Sequence, residues 1–135
     1  MAEHNKLLVE AAKDAGVATS IDYAIFQNHG YQGLYGGMTA KDIHHHKGLK
    51  KNEKILDYMG YEELAANLFR ATQTEAKLRR DHIQGKSEAN RTHYNVGKEV
   101  RDTIERLGGT MPEDLPTPAK SIKQIEQEQK KLDNK

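Results

Sequence analysis

The residues of this chain best equipped for chemistry gather in three places. The first is Phe26-Gln27-Asn28-His29-Gly30-Tyr31-Gln32-Gly33-Leu34-Tyr35-Gly36-Gly37, where four glycines fall within eight positions. Glycine lets a backbone approach a ligand closely, and an exposed tyrosine supplies contact area at low entropic cost. His29, Tyr31 and Tyr35 are therefore candidate contact residues in a Gly/Tyr-rich loop; the plainer alternative is a loop whose tyrosines close over neighbouring helices. The spacing is not a dinucleotide fingerprint, because GxGxxG is not matched and no strand precedes it.

The second place is His44-His45-His46. Consecutive helical residues point about 100° apart, so three adjacent imidazoles do not converge on one ion, and no HExxH or similar spacing accompanies them. No metal or cofactor is expected. Rather, the histidines extend the cluster Lys47, Lys50, Lys51 and Lys54, gaining charge as pH falls through about 6.5. The third place is a longer basic series: Arg70, Lys77, Arg79, Arg80, Lys86, Arg91, Lys98 and Arg101. Helical spacings of seven and three put Arg70, Lys77 and Arg80 on one face, while Arg79 points elsewhere. Lys50, Lys51, Arg70, Arg79 and Arg80 are the candidate contacts for phosphate or an acidic protein surface.

Other motifs fail on context. Gly85-Lys86-Ser87 copies the end of a phosphate-binding loop, but Arg80 stands where its first glycine belongs. The Asn90-Arg91-Thr92 sequon carries no meaning without secretion. His93 sits on an apolar stripe and reads as a satisfied, half-buried histidine. Glu62-Glu63 and Glu113-Asp114 read as ordinary helix-start and loop acids. Nothing forms a catalytic triad, and no enzymatic activity is expected.

Helical periodicity dominates the segments that hold these residues. Leu7, Leu8, Ala11, Ala12 and Ala15 form a stripe closed by Gly16 as a left-handed stop. A helix capped by Ser20 runs through Tyr23 and Phe26 into Gly30. Thr39 and Asp42 form a capping box for a helix to about Lys47, and a short helix spans Asn52 to Met59. Two long helices follow. One runs from about Glu62 to Ile83, with Leu64, Leu68, Ala71, Glu75 and Leu78 aligned and Ala65, Phe69 and Ala76 alongside. The other runs from about Ser87 to Leu107, with a seam of Ala89, His93, Val96, Val100, Thr103 and Leu107. The short Gln84-Gly85-Lys86 link makes them an antiparallel hairpin.

All three prolines (Pro112, Pro116, Pro118) lie in 108–118, the one evident linker. Thr117-Pro118 reads as a cap followed by a first helical residue, opening a last helix over 119–132 with a thin apolar face of Ile122, Ile125 and Leu132. The final Lys-Lys-Leu-Asp-Asn-Lys is expected to fray. The fold expected is all-α: an irregular helical bundle over 1–109 built on the 62–107 hairpin, a Pro-rich linker at 110–118, and a C-terminal helix with a frayed end at 119–135.

Composition narrows function further. The 135 residues hold 21 Lys+Arg against 20 Asp+Glu, a net charge of +1, with no cysteine and no tryptophan. Absent cysteine excludes disulfides, thiolate metal sites and cysteine nucleophiles, and suits a reducing cytoplasm. No apolar run approaches the ~20 residues of a membrane-spanning helix. The near-zero charge is a cancellation: 41–54 and 70–101 are basic, 1–40 and 55–69 acidic. Charged recognition stays open without favouring nucleic acid over protein.

Longer strings carry a resemblance. Ile25 to Gly37, Lys47-Gly48-Leu49-Lys50-Lys51-Asn52, Leu64-Ala65-Ala66-Asn67-Leu68-Phe69-Arg70-Ala71-Thr72-Gln73-Thr74-Glu75, and Leu107-Gly108-Gly109-Thr110-Met111-Pro112-Glu113-Asp114-Leu115-Pro116-Thr117-Pro118 are similar to the DNA-damage-inducible protein D (DinD) family of bacteria. Members are about twice this long and begin with a BRO-like domain, so this chain resembles their C-terminal half. The resemblance implies induction in the SOS response and a non-enzymatic, cytoplasmic role: binding RecA, the recombinase that coats single-stranded DNA, inhibiting it and disassembling its filaments. It transfers no established site residues. Two alternatives stand beside it: direct binding of single-stranded nucleic acid, and a homodimerisation module in which the thin last helix completes its core in a partner.

Overall fold

The computed structural model describes residues 2–133, and among these it contains six α-helices and no strand. The all-α expectation holds. Helix α1 spans Ala2–Asp14, α2 Ser20–Leu34, α3 Ala40–His46, α4 Tyr61–Arg80, α5 Lys86–Arg106 and α6 Ile122–Asp133; two 3-10 turns, Ile55–Tyr58 and Pro112–Asp114, interrupt the connections.

Local chemistry explains most boundaries. Gly16 ends α1 at a φ of +108°, as its position after the alanine stripe suggests. The cap of α2 is Thr19, one residue before the expected Ser20: its hydroxyl accepts from the Asp22 amide at 3.0 Å. Thr39 and Asp42 form the expected reciprocal capping box of α3. The segment expected to be a helix over 52–59 is a single 3-10 turn. For α6 the cap is Ser121, which exchanges bonds with Gln124, so Thr117-Pro118 lies outside the helix. Ile125 and Leu132 of its apolar stripe are 47% and 64% exposed. The Ile122 side chain and the last two residues of the expected frayed end lie outside the described residues.

The largest departure is in α2. The helix does not stop at Gly30 but continues through Gly33 to Leu34, so most of the expected Gly/Tyr loop is helical. Helical glycines cost about 1 kcal/mol each relative to alanine, and here packing offsets that cost. An added Cβ on Gly33 would lie 2.2 Å from the Tyr94 carbonyl oxygen, and one on Gly97 would lie 2.6 Å from the Gly30 carbonyl oxygen. The bare backbones of α2 and α5 therefore meet directly.

This contact reorders the bundle. The α4–α5 hairpin forms as expected, but α5 packs most extensively against α2. The buried line of α5 becomes Ala89, Thr92, His93, Gly97 and Val100, while Thr103 and Leu107 of the expected seam face solvent. Two apolar clusters result. One joins Leu8, Ala11, Ala12, Phe26, Ala71, Leu78 and Ala89 across α1, α2, α4 and α5. The other joins Tyr31, Leu34, Tyr35, Ile43, Met59 and Val100. The proline-bearing segment lies against the bundle: Pro112 is buried, and Arg101 grips Glu113 with two 2.8 Å bonds while also donating to the Leu34 carbonyl.

Candidate functional site

Helix α4 turns a polar face inward. Glu63, Asn67, Arg70 and Thr74 are all at most 2% exposed, and three of them form a directed hydrogen-bond series. Lys47 donates to Glu63 Oε1 at 2.6 Å, and Tyr35 donates to Glu63 Oε2 at 2.5 Å. The Tyr35 hydroxyl accepts from Asn67 at 2.9 Å, and Asn67 Oδ1 accepts from Arg70 at 3.3 Å. Arg70 also bonds His93 Nε2, while His93 Nδ1 contacts the Phe26 carbonyl at 2.8 Å. A carbonyl only accepts, so Nδ1 carries the proton and Nε2 is the acceptor that Arg70 requires.

Two buried cations share one carboxylate in this series. Lys47 takes the carboxylate directly; Arg70 is left with neutral acceptors and the face of Tyr31, 4.9 Å below it. Burial lowers the Arg70 pKa, and burial followed by the neighbouring Arg70 charge drives that of His93 well below its ordinary value, so the imidazole is neutral. Burial, then the Glu63 charge, raises the Tyr35 phenol and keeps it a donor. His93 stacks at 4.3 Å on Phe26 of one apolar cluster, and Arg70 covers Tyr31 of the other. The series thus joins the two clusters. Its Glu63 end borders a cavity of about 50 Å³ between Tyr35, His46, Lys47 and Glu113. That is room for a water or two, far below the ~300 Å³ at which small-molecule sites begin.

The exposed features are of two kinds. One is a basic loop after α3. His44 Nε2 donates to the carbonyls of Lys50 and Glu53 at 2.9 and 3.0 Å. Glu53 in turn accepts from the Lys50 amide at 2.7 Å and the Tyr58 hydroxyl at 2.5 Å. The backbone is pinned, while Lys41, Lys50, Lys51 and Lys54 stand in solvent and form no ion pair among the described residues. The other is a groove between the outer faces of α4 and α5. Its two lobes, of about 520 and 350 Å³, meet at Phe69, Val100 and Thr103. Phe69 is 53% exposed and Tyr61 89%.

The DinD C-terminal domain family model matches residues 1–125. The chain belongs to that family. DNA damage-inducible protein D of Escherichia coli strain K12 is 71% identical over 124 residues, covering 92% of this chain and 45% of that protein. The chain therefore spans less than half the length of that relative. No solved structure matches it.

Within this DinD domain the eight sequence-derived candidates separate. Tyr31, Tyr35 and Arg70, expected on a contact surface, lie in the interior: the tyrosines because α2 continues as a helix, Arg70 because it lies on the buried face of α4 beside Ala71. His29 is half-buried on α2. Lys50 and Lys51 stand together on the pinned loop. Arg79 turns to Glu75 and Asp14, away from Arg80, which borders the groove beside Lys77 and Lys98. The histidine triplet divides: His44 holds the basic loop, and His46 donates to the Glu113 carbonyl at 2.8 Å. Among the described residues no three His, Cys, Asp or Glu side chains gather as a metal site, and no helix is long and apolar enough to cross a membrane.

Sequence reasoning missed Glu63, Asn67 and Lys47 as a connected unit. Glu63 reads as a helix-start acid and Lys47 as one of a lysine cluster. The available signal was the spacing Glu63, Asn67, Arg70, Thr74, four polar residues on one stripe of a long helix.

Proposed function

We propose that this domain is a non-enzymatic protein-interaction module of a DNA-damage-response protein, acting on RecA or its filament to inhibit recombinase activity. The observation that carries the reading is the basic loop: a backbone fixed by His44 and Glu53 presents Lys50, Lys51 and Lys54 to solvent with no acidic partner among the described residues. A preorganised cationic surface loses little entropy on docking and favours an acidic protein face. The interior points the same way. Its polar groups bond mainly to one another, Arg70 Nε being left without an acceptor, and the cavity beside them is too small for a substrate. The family's damage-inducible naming supports the response role, and the resemblance directs it to RecA.

The test is capture of RecA by this chain with and without single-stranded DNA, followed by Lys50→Glu/Lys51→Glu. The reading expects RecA retention, a loss of about ten-fold in affinity for the double variant, and a weaker salt dependence. Titration with single-stranded DNA alone separates direct nucleic-acid binding, which would show a steep salt slope. Retention of RecA that is indifferent to both substitutions would overturn the assignment of the loop.

A further inference from the structure

Two apolar faces of this domain stand largely uncovered among the described residues, and the charges that border them are opposite. The first is the α4–α5 groove, floored by Phe69 and Val100 and bordered at its far end by Lys77, Arg80 and Lys98, with Glu99 as the one acid lining that end. Lys77 and Lys98 make i,i+4 pairs with Asp81 and Asp102 at 3.0 and 3.2 Å. All four side chains are about a third or more exposed, so these pairs are weak and exchangeable. The second face is on α6. Ile122, Ile125, Gln129 and Leu132 follow one another at spacings of three, four and three, the pattern of a helix-pairing seam. In that register Glu126, Glu128 and Asp133 flank the seam, while Lys130 and Lys131 fall on the outer side. The chief neighbour of α6 in its own chain is the Ile55–Tyr58 turn, which leaves Ile125 and Leu132 exposed.

We propose that α6 of one copy docks in the α4–α5 groove of a second copy, and reciprocally, forming a closed twofold dimer. The apolar seam meets Phe69 and Val100, and its acidic flanks meet Lys77, Arg80 and Lys98. Direct pairing of α6 with α6 is disfavoured, because parallel strands would set acidic flank against acidic flank. Twelve residues of α6 span about 18 Å, well within the ~30 Å of the 20-residue α4. Reciprocity doubles a contact too small to hold alone, and a net charge of only +1 gives little self-repulsion.

Sedimentation equilibrium of the full chain over a wide concentration range tests this. The expected result is a reversible dimer, weakened about ten-fold or more by Phe69→Glu and by Ile125→Glu/Leu132→Glu, with unchanged helical circular dichroism. Mixing those two variants leaves one intact and one doubly broken contact in each mixed pair, so association stays well below that of the unaltered chain. Lys77→Glu/Arg80→Glu/Lys98→Glu is an independent check that leaves the apolar floor in place. It should weaken the dimer and be rescued by mixing with Glu126→Lys/Glu128→Lys/Asp133→Lys. A chain that stays monomeric at every concentration, a dimer insensitive to these variants, or a charge-swapped mixture that fails to recover would each overturn the exchange.

Discussion

The two faces of α4 differ in kind: a polar stripe runs along the buried one, and aromatic side chains stand on the exposed one. Inward lie a carboxylate, an amide, a guanidinium and a hydroxyl; outward lie Tyr61, Ala65 and Phe69, all exposed. Ala71 and Leu78 are buried beside that polar stripe, and Leu64 and Ala66 pack against the second apolar cluster, so the inward face is mixed. Its polar groups are accommodated because they find partners on three other elements: Lys47 beyond α3, Tyr35 at the end of α2 and His93 on α5. Directed pairing of buried polar groups fixes one arrangement, with Arg70 Nε the atom of the series left without an acceptor, whereas an exposed phenylalanine costs little in the folded state. The inner face thus fixes the bundle, and the outer face is the one the proposed dimer would use.

Breaking each face in turn should expose that difference most sharply. Glu63→Ala leaves Lys47 as an uncompensated buried cation and Tyr35 without its acceptor, a loss of about 3–5 kcal/mol. Against the 5–15 kcal/mol of a typical domain, such a variant is close to unfolding. Phe69→Ser on the outer face should change stability by no more than about 0.5 kcal/mol when measured dilute enough to exclude self-association. Urea denaturation with m values compared decides it. Equal costs at the two positions would remove the distinction.

A smaller effect should come from the helix contact that holds the inner face shut. Gly33→Ala forces a methyl group against the Tyr94 carbonyl, backbone that has no rotamer with which to yield. The expected loss is about 1–3 kcal/mol, where alanine at an ordinary helical glycine would gain up to ~1 kcal/mol. A stabilised Gly33→Ala protein, read by thermal unfolding, would mean that α2 and α5 do not meet as closely as 2.2 Å implies.

Those glycines also show what the sequence could convey. Helix positions, the Thr39–Asp42 box and the Gly16 stop follow from local rules and were legible. Gly30 and Gly33 were not, because a local reading treats glycine as a helix stop, and only Gly97 sixty-odd residues later makes them a packing surface. Arg70 and Tyr35 fail for the same reason. A charge or a phenol reads as exposed until its partner is known, and those partners lie 23 and 28 residues away. Lys50 and Lys51, which need no partner, are where a solvent-facing reading puts them. Site legibility here tracks the range of the interaction: short-range features were readable, long-range pairs were not.

The mildest probe of the inner face is protons. His93 is neutral in the folded chain because burial and the Arg70 charge oppose its protonation, with His29 adding in the same direction and the Phe26 carbonyl opposing. Unfolded, the same histidine takes a proton near pH 6.5. Below that value the unfolded state binds the extra proton, so stability is level above about pH 6.5 and falls as pH drops, by about 1.4 kcal/mol per unit. Carboxylates held below their ordinary values do not confuse this window. Burial resists ionisation of Glu113, but Arg101 outweighs it, and Asp42 is held down by the Thr39 amide and hydroxyl. Such groups cost stability only nearer pH 4. Denaturation at pH 7.5 and 5.5 should therefore show the loss, and His93→Gln, which keeps an acceptor for Arg70, should flatten it. A slope that persists in His93→Gln would place the titrating group outside the inner face and leave that face without its proton-sensitive member.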